Sequence, residues 1–308
     1  MTEAQRTLII LNPKAGSGRA GKIWSEIEPL LWDELGELVV AITQHPEEVA
    51  IHLDKARDAG LTRVVAIGGD GTNHAIVNAI QDLQQQDPSA PPMTFAQLPV
   101  GTGRDFARTL GTPFDPKEAV KWIAHATPHP IDIGQLEINS RESQHFLNIA
   151  SGGLSGKVAM NVNKLKRRWT LTFHLASLRG LLAFNPPRMK ITLDGEEWYN
   201  QKAWTFVVAN GRMFGHGMLV APYAEIDDGL FDVLVVDKMP RWEAAIALNS
   251  IYSGKHIHRP DVHYKQAREV IVESPDMRLP LELDGETASG EHLRFSVKDG
   301  ALNMLLGT

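Results

Sequence analysis

The chain has 308 residues, 43% of them hydrophobic and 22% charged, the balance of a soluble globular protein and not of a disordered one. Lys and Arg number 31 against 37 Asp and Glu, and the formal charge of -6 argues against a broad nucleic-acid footprint. Cysteine is absent, which excludes disulfides, thiolate metal sites and cysteine nucleophiles and fits a reducing compartment.

The segment Met1 to Arg6 lacks a basic start and a long apolar core, so no secretory signal is expected. No run approaches the roughly 18 apolar residues of a membrane span. A cytoplasmic protein, at most peripheral to a membrane, is the expectation. Thr7 to Leu11 forms a β-rich run closed by Asn12-Pro13 and a glycine-rich turn. Ile23 to Leu35 has apolar residues at helical spacing, Leu38 to Ile42 reads as a second strand, and Glu47 to Ala59 as a second helix. Arg63 to Ile67 is a third strand, and the helix after it is expected to bury Ile76, Val77, Ile80 and Leu83. Strands and helices alternating at this cadence imply parallel strands with helical crossovers.

Residues 84 to 92 read as an exposed connection. From about Ile131 short β-like runs dominate: 146–150, 189–193, 204–209, 231–236, 269–272 and 279–283. Helical insertions are expected over about 156–184 and 241–252. The sequence therefore predicts an N-terminal doubly wound α/β domain over residues 1–130 and a C-terminal antiparallel β-sandwich domain over 131–297, with a cleft where they meet.

The first glycine cluster, Gly16 to Gly21, matches the dinucleotide spacing G-x-G-x-x-G, but the second strand ends in Thr43-Gln44-His45, without the acid that would hold a ribose. It also resembles a P-loop, but Ile23 follows Lys22 where a Mg²⁺-binding hydroxyl belongs. What survives is a strand, a loop and a helix N-terminus offering backbone N–H groups to a phosphate, against the alternative of a turn with no ligand. Gly68-Gly69-Asp70-Gly71-Thr72 places glycines on both sides of an aspartate at a strand's carboxyl end, where open α/β sheets carry their sites. Gly101-Thr102-Gly103-Arg104-Asp105 repeats the arrangement, so Asp70 and Asp105 fall on neighbouring loops of one sheet edge, as a Mg–nucleotide site requires. Asp105 as a plain helix cap is the competing reading. Asp284-Gly285-Glu286 reads as a tight turn carrying a carboxylate, Glu286, that could accept a proton, against the alternative of a solvated turn.

Taken in order, Asn12-Pro13-Lys14-Ala15-Gly16, Gly68 to Thr72, Gly101 to Arg108, Asn210-Gly211, Ala221-Pro222, Glu225 to Val233 and Asp284 to Glu286 resemble the diacylglycerol kinase catalytic-domain family, especially its bacterial lipid kinases. The likeness spans roughly residues 7 to 305. It implies that Asn12, Pro13, Lys14, Ala15, Gly16, Thr43, Gly69, Asp70, Gly71, Thr72 and Thr102 contact ATP. It further implies that Asp70 and Asp105 organise catalytic Mg²⁺ and the lipid hydroxyl, that Glu286 is the general base, and that Glu225, Asp228 and the Leu230 carbonyl hold a structural Mg²⁺. The last segment, about 298–308, is expected to return to the first domain. The implied activity is ATP-dependent phosphorylation of a lipid hydroxyl in phospholipid metabolism, on diacylglycerol, phosphatidylglycerol or a sphingoid base at a membrane surface, with an anionic phospholipid and a homodimer as candidate partners. The rival readings are phosphorylation of a soluble substrate in the manner of NAD kinases, which share Gly-Gly-Asp-Gly, and a nucleotide-binding regulator without turnover.

The sequence departs from the family pattern at Arg104, where relatives usually carry Asn, and at Asn73-His74-Ala75, where many read x-Asn-Glu. Arg104 is expected to pair with an acid rather than to contact a phosphate. Lys164, Lys166, Arg167 and Arg168 form a basic run before Trp169 and an apolar helix, read as a solvated face beside a core helix, with docking on anionic lipid as the alternative. His256 and His258 are read as surface residues.

Overall fold

A computed structural model describes residues 6–163 and 179–307 of the chain. Two compact units are present, Met1–Ile131 with Gly300–Thr308, and Asp132–Asp299.

The first unit is built on β1 (Thr7–Leu11), α1 (Ala15–Leu35), β2 (Leu38–Ile42), α2 (Glu47–Asp58), β3 (Arg63–Gly68), α3 (Asp70–Gln86), β4 (Thr94–Pro99), α4 (Asp105–Leu110) and α5 (Pro116–His125). Its strands run parallel in the order β2-β1-β3-β4, and the last residues of the chain add a fifth parallel strand through Asn303 and Met304 beside β4. Central β1 is buried on both faces, which is why Leu8 to Leu11 read as an unbroken apolar run, whereas edge strand β2 alternates. Helices α1 and α5 pack together, as do α2 and α3. The strand order reverses between β1 and β3, and open α/β sheets form their ligand crevice at that switch, beyond the carboxyl ends of the strands.

Helix α1 starts eight residues earlier than its apolar spacing predicts. Its first turn is irregular: Gly16, Ser17 and Gly18 all have left-handed backbone angles, and regular helix follows. That turn hides the helix start from a periodicity argument. Helix α3 likewise continues to Gln86, into the expected connection.

The second unit contains the rest of β5 (Thr127–Ile138), then β6 (Glu142–Phe146), β7 (Ile149–Gly153), α6 (Leu154–Asn163), β8 (Arg188–Leu193) and β9 (Glu196–Ala209). After the short β10 (Met213–Phe214) and β11 (Met218–Leu219) come β12 (Phe231–Asp237), a helix at Arg241–Ser250, β13 (Val262–Ala267), β14 (Glu269–Glu273), β15 (Leu279–Leu283), β16 (Glu286–Gly290) and β17 (His292–Leu306), whose residues from Gly300 onward belong to the first unit. The strands pair antiparallel throughout the described residues of this unit. The first half of β9 pairs with β8, which continues to β14 and β17; its second half pairs with β7 and β12, and β7 continues to β15 and β16. These two layers enclose a core of alternating inward residues, centred on Phe146, Phe206, Phe231 and Phe295. Phe146 stacks on Phe231 at 5.6 Å and meets Phe295 edge-on at 6.3 Å. The architecture is therefore an N-terminal Rossmann-like α/β domain followed by an antiparallel β-sandwich, the class the sequence predicts.

The helical insertion expected over 156–184 is a helix only to Asn163 and again over 179–183 among the described residues; the basic run at 164–168 and the apolar positions up to 178 lie outside them. His256 is buried, with Nε2 2.9 Å from the Val220 carbonyl, and is not a surface residue.

Candidate functional site

In the first unit, the loops after β1, β3 and β4 are tied to one another by backbone contacts. The Asn12 amide donates to the Ile67 carbonyl (3.0 Å), and the Gly101 amide to the Gly68 carbonyl (3.0 Å). Asn12 also folds over its own loop, with Oδ1 accepting from the Lys14 amide at 3.0 Å, while Nδ2 donates to Thr72 Oγ1 at 3.4 Å. Pro13, Lys14 and Ala15 carry the chain into α1, where a Cβ on Gly16 would overlap the Val100 carbonyl oxygen. Thr43, just beyond β2, is buried, and its amide donates to the Leu11 carbonyl at 2.9 Å. Gly69 caps α3, so Asp70, Gly71 and Thr72 form that helix's first turn, in which the Thr72 amide already donates to the Gly69 carbonyl at 2.9 Å. Thr102 is exposed in the loop after β4. The structure thus brings Asn12 to Gly16, Thr43, Gly69 to Thr72 and Thr102 to one sheet edge.

Asp70 and Asp105 converge on the backbone between them. A Cβ on Gly103 would lie 2.6 Å from Asp70 Oδ2 and 3.4 Å from Asp105 Oδ2, so only a glycine leaves room for both carboxylates. Asp105 is buried at the start of α4, and Arg108 binds it at 3.2 Å while also donating to the Gly103 carbonyl. Two carboxylates at the carboxyl edge of a parallel sheet, beside a helix N-terminus, suit a hard divalent cation together with phosphates.

Arg104 does not pair with an acid. It takes a left-handed conformation (φ 56°), donates from Nε to the Gly101 carbonyl at 2.8 Å, and lies 5.1 Å over the Phe114 ring. No carboxylate pairs with it among the described residues. Burial lowers its pKa, and the charges of Arg19 and Arg108 lower it further. Asn73, at the other departure from the family pattern, is buried and donates to Gln97 Oε1 at 2.6 Å, a structural contact inside the unit.

In the second unit, β15 and β16 are joined by a two-residue turn, Asp284-Gly285, both at positive φ (49° and 92°), the geometry of a tight hairpin. Asp284 is buried and its carboxylate accepts three amides, from Leu147 (2.6 Å), Asn148 (3.0 Å) and Ile149 (3.1 Å). The turn is thereby fixed to β7, and Glu286, the first residue after it, is held out to solvent on a rigid hairpin. The sequence marks the Asp-Gly-Glu turn but not the anchoring by Asp284, whose partners lie about 136 residues away.

Glu225, Asp228 and Leu230 lie on the loop before β12, and Asp228 Oδ1 accepts the Leu230 amide at 3.0 Å. Two more acids, not singled out by the sequence reading, crowd the same loop. Asp132 Oδ2 accepts the Gly229 amide at 2.7 Å, and Asp232 is fully buried with Oδ1 lacking a hydrogen-bond partner. Burial pushes the Asp232 carboxyl up to about 6, and Asp228 and Glu225 push in the same direction against a Gln266 hydrogen bond. Asp228 is raised as well, by burial and by Asp132 and Glu225. Crowded carboxylates with one orphaned oxygen are chemically suited to a hard cation. Among the described residues, no three His, Asp or Glu side chains close round one point, so an ion here would draw its remaining donors from backbone carbonyls and water.

Residues 6–136 match the family described as diacylglycerol kinase catalytic domain, and residues 148–306 match the YegS C-terminal NAD kinase beta sandwich-like domain. A protein of Chromohalobacter salexigens named "Probable lipid kinase YegS-like" is 32% identical over 252 residues, covering 80% of this chain and 77% of its own. A Bacillus subtilis protein named diacylglycerol kinase is 31% identical over 237 residues, covering 75% and 74%. The crystal structure of a diacylglycerol kinase from Bacillus anthracis shares the fold with a TM-score of 0.73 at 23% identity, covering 100% of this chain and 98% of that one. The chain belongs to the diacylglycerol kinase catalytic-domain family, in the branch that carries a YegS-type C-terminal domain.

Proposed function

We propose that this protein transfers the γ-phosphoryl group of ATP to the hydroxyl of a lipid, in the class that includes diacylglycerol, phosphatidylglycerol and sphingoid bases. The observation that carries this reading is the convergence of Asp70 and Asp105 about Gly103, at the edge where the loops after β1, β3 and β4 meet. On this reading the first unit is the nucleotide-binding domain, and the second, Asp132–Asp299, serves the lipid.

The backbone of Asn12 to Gly16, Gly69 to Thr72 and Thr102 would cradle the nucleotide, with Thr43 beside them. Asp70 and Asp105 fit a catalytic Mg²⁺, which when bound supplies neutralisation of phosphate charge. Glu225, Asp228 and the Leu230 carbonyl fit a second, structural ion. Glu286 accepts the proton of the lipid hydroxyl as its oxygen bonds to the γ-phosphorus and the bond to the β-phosphate oxygen breaks, leaving ADP. The rigid hairpin beneath Glu286 supports that role, since a base must hold its place to act.

Peripheral membrane association is supported by the second unit's surface. Leu182, Trp242 and Ile246 are 67%, 65% and 61% exposed. Arg241 donates to the carbonyls of Leu181 and Phe184, which brings the segment of Leu182 beside the helix of Trp242 and Ile246. Next to them is a cavity of about 590 Å³ lined by Lys202, Lys238 and Arg241 around Trp204, with no acidic residue in its wall. An apolar ridge beside a wall of cations is the pattern of a surface that rests on anionic lipid. Among the described residues, no helix is long and apolar enough to cross a membrane.

The test is incubation with labelled ATP and Mg²⁺ against a mixed-micelle panel of these lipids, beside Glu286→Gln. A labelled lipid that disappears in the variant is the expected result. Consumption of ATP with NAD and no lipid product, or nucleotide binding with no product at all, would overturn it.

A further inference from the structure

Three arginines gather at the candidate site without enough acids to balance them. Arg19 follows the left-handed turn of α1, and its Cβ lies 3.3 Å from where a Cβ on Gly16 would stand. Arg104 and Arg108 place their guanidinium carbons 5.1 and 5.0 Å from the centre of the same ring, Phe114. Arg108 is paired with Asp105. Arg19 and Arg104 pair with no carboxylate among the described residues, and all three side chains are half-buried.

Each of these features is unfavourable alone. Burial of the Arg104 guanidinium is the main cause of its lowered pKa, and repulsion from the like charges of Arg19 and Arg108 adds to it. A left-handed backbone at a residue with a Cβ adds strain, and strain of this kind collects at functional positions. The Gly101 carbonyl and the Phe114 ring restrain the guanidinium of Arg104, so that it is held in place rather than free to swing away. A group that would gain from all three is an anion with several oxygens, and guanidinium forks match phosphate best.

We propose that Arg19, Arg104 and Arg108, braced on Phe114, form a phosphate-binding site beside Asp70 and Asp105, with Arg104 as its principal donor. The inference rests on the kinase reading only for the source of the phosphate. Either the terminal phosphate of the nucleotide or a phosphate already carried by the acceptor lipid supplies the same chemistry. In the second case Arg104 selects acceptors such as phosphatidylglycerol over neutral diacylglycerol.

The first measurement does not depend on turnover. Calorimetric titration of the full-length protein with inorganic phosphate and with pyrophosphate compares wild type, Arg104→Asn and Arg104→Lys. Affinity is expected to fall tenfold or more in Arg104→Asn and by less in Arg104→Lys. The melting temperature of Arg104→Asn should be unchanged or higher, because asparagine tolerates the left-handed conformation and one repelling charge is gone. A merely structural arginine would give the opposite pair: unchanged affinity and a lower melting temperature, which overturns the site. Kinetics then assign the source. A raised KM for ATP in Arg104→Asn assigns the nucleotide, and a reduced preference for phosphatidylglycerol over diacylglycerol at constant ATP KM assigns the acceptor. Binding that weakens as expected in a protein that phosphorylates no lipid would leave the site standing and remove the lipid-kinase reading instead.

Discussion

Gly69 and Gly101 meet backbone to backbone: a Cβ on Gly101 would lie 2.6 Å from the Gly69 Cα. The loops after β3 and β4 touch because neither residue has a side chain at that point. Asp70 and Thr102 follow directly on either side, so the spacing of the proposed nucleotide loops depends on this contact. Gly101→Ala should force the loops apart, at a cost of about 1–3 kcal/mol, and lower the affinity for ATP by an order of magnitude or more. Thermal melting with nucleotide titration checks both; a variant with wild-type nucleotide affinity would refute the dependence.

On the proposed reading, Asp284 positions the turn and Glu286 performs its chemistry. Asp284→Asn replaces a carboxylate that accepts three amides with a group presenting its own N–H donors, for a loss of roughly 2–3 kcal/mol. Turnover should fall with it. Glu286→Gln touches an exposed residue, so the melting temperature should hold while turnover collapses. Equal destabilisation by the two would assign Glu286 to the scaffold.

The pH dependence of stability should carry the mark of Asp232, whose folded-state pKa of about 6 lies above the unfolded carboxylate value. Between about pH 4 and 6 the folded protein holds a proton that the unfolded chain has released. Stability therefore falls as pH rises through that window, by roughly 2–3 kcal/mol, and the penalty is complete above it. Asp232→Asn should flatten this slope and melt higher than wild type near pH 7.5. Millimolar Mg²⁺ should raise the wild-type melting temperature and raise that of Asp228→Asn less. Identical pH profiles for wild type and Asp232→Asn would contradict the raised carboxyl.

The ridge of Trp242 and Ile246 should govern attachment to anionic vesicles. Trp242→Ala with Ile246→Ser is expected to weaken binding to phosphatidylglycerol-containing vesicles by tenfold or more, with no loss of stability because both side chains face solvent. Added salt should weaken the wild-type interaction as well, since the flanking cations are exposed. Co-sedimentation with vesicles measures both, and a double variant that sediments like wild type would disprove the assignment.

The parallel sheet was legible because its inner strands are buried on both faces and its loops carry the glycines that close backbone approach demands. Much of the second unit was harder to read. Strand β13 alternates Val262, His263, Tyr264, Lys265 and Gln266, and only its ends are buried. Strand β17 carries Lys298, Asp299 and Gly300 in its middle, a run that reads as a turn. The candidate site divides the same way. Asp70, Asp105 and Glu286 are visible as motif residues. Asp132 acts on Gly229, 97 positions away, and the clustering of Arg19 with Arg104 arises from folding alone; no local pattern could announce either. Arg104 was visible as an oddity, but the absence of an acid beside it was not.

Strand β9 has a consequence for how the second unit comes apart. One continuous stretch of backbone, Glu196–Ala209, is a member of both layers of the sandwich, so neither layer possesses a complete set of strands without it. Melting should then be all-or-none for the sandwich, with amide protons on either layer exchanging at a common rate. A break in the chain would be absorbed at the turn of Gly195, which joins β8 to β9, but a break within β9 would dismantle both faces of the core together.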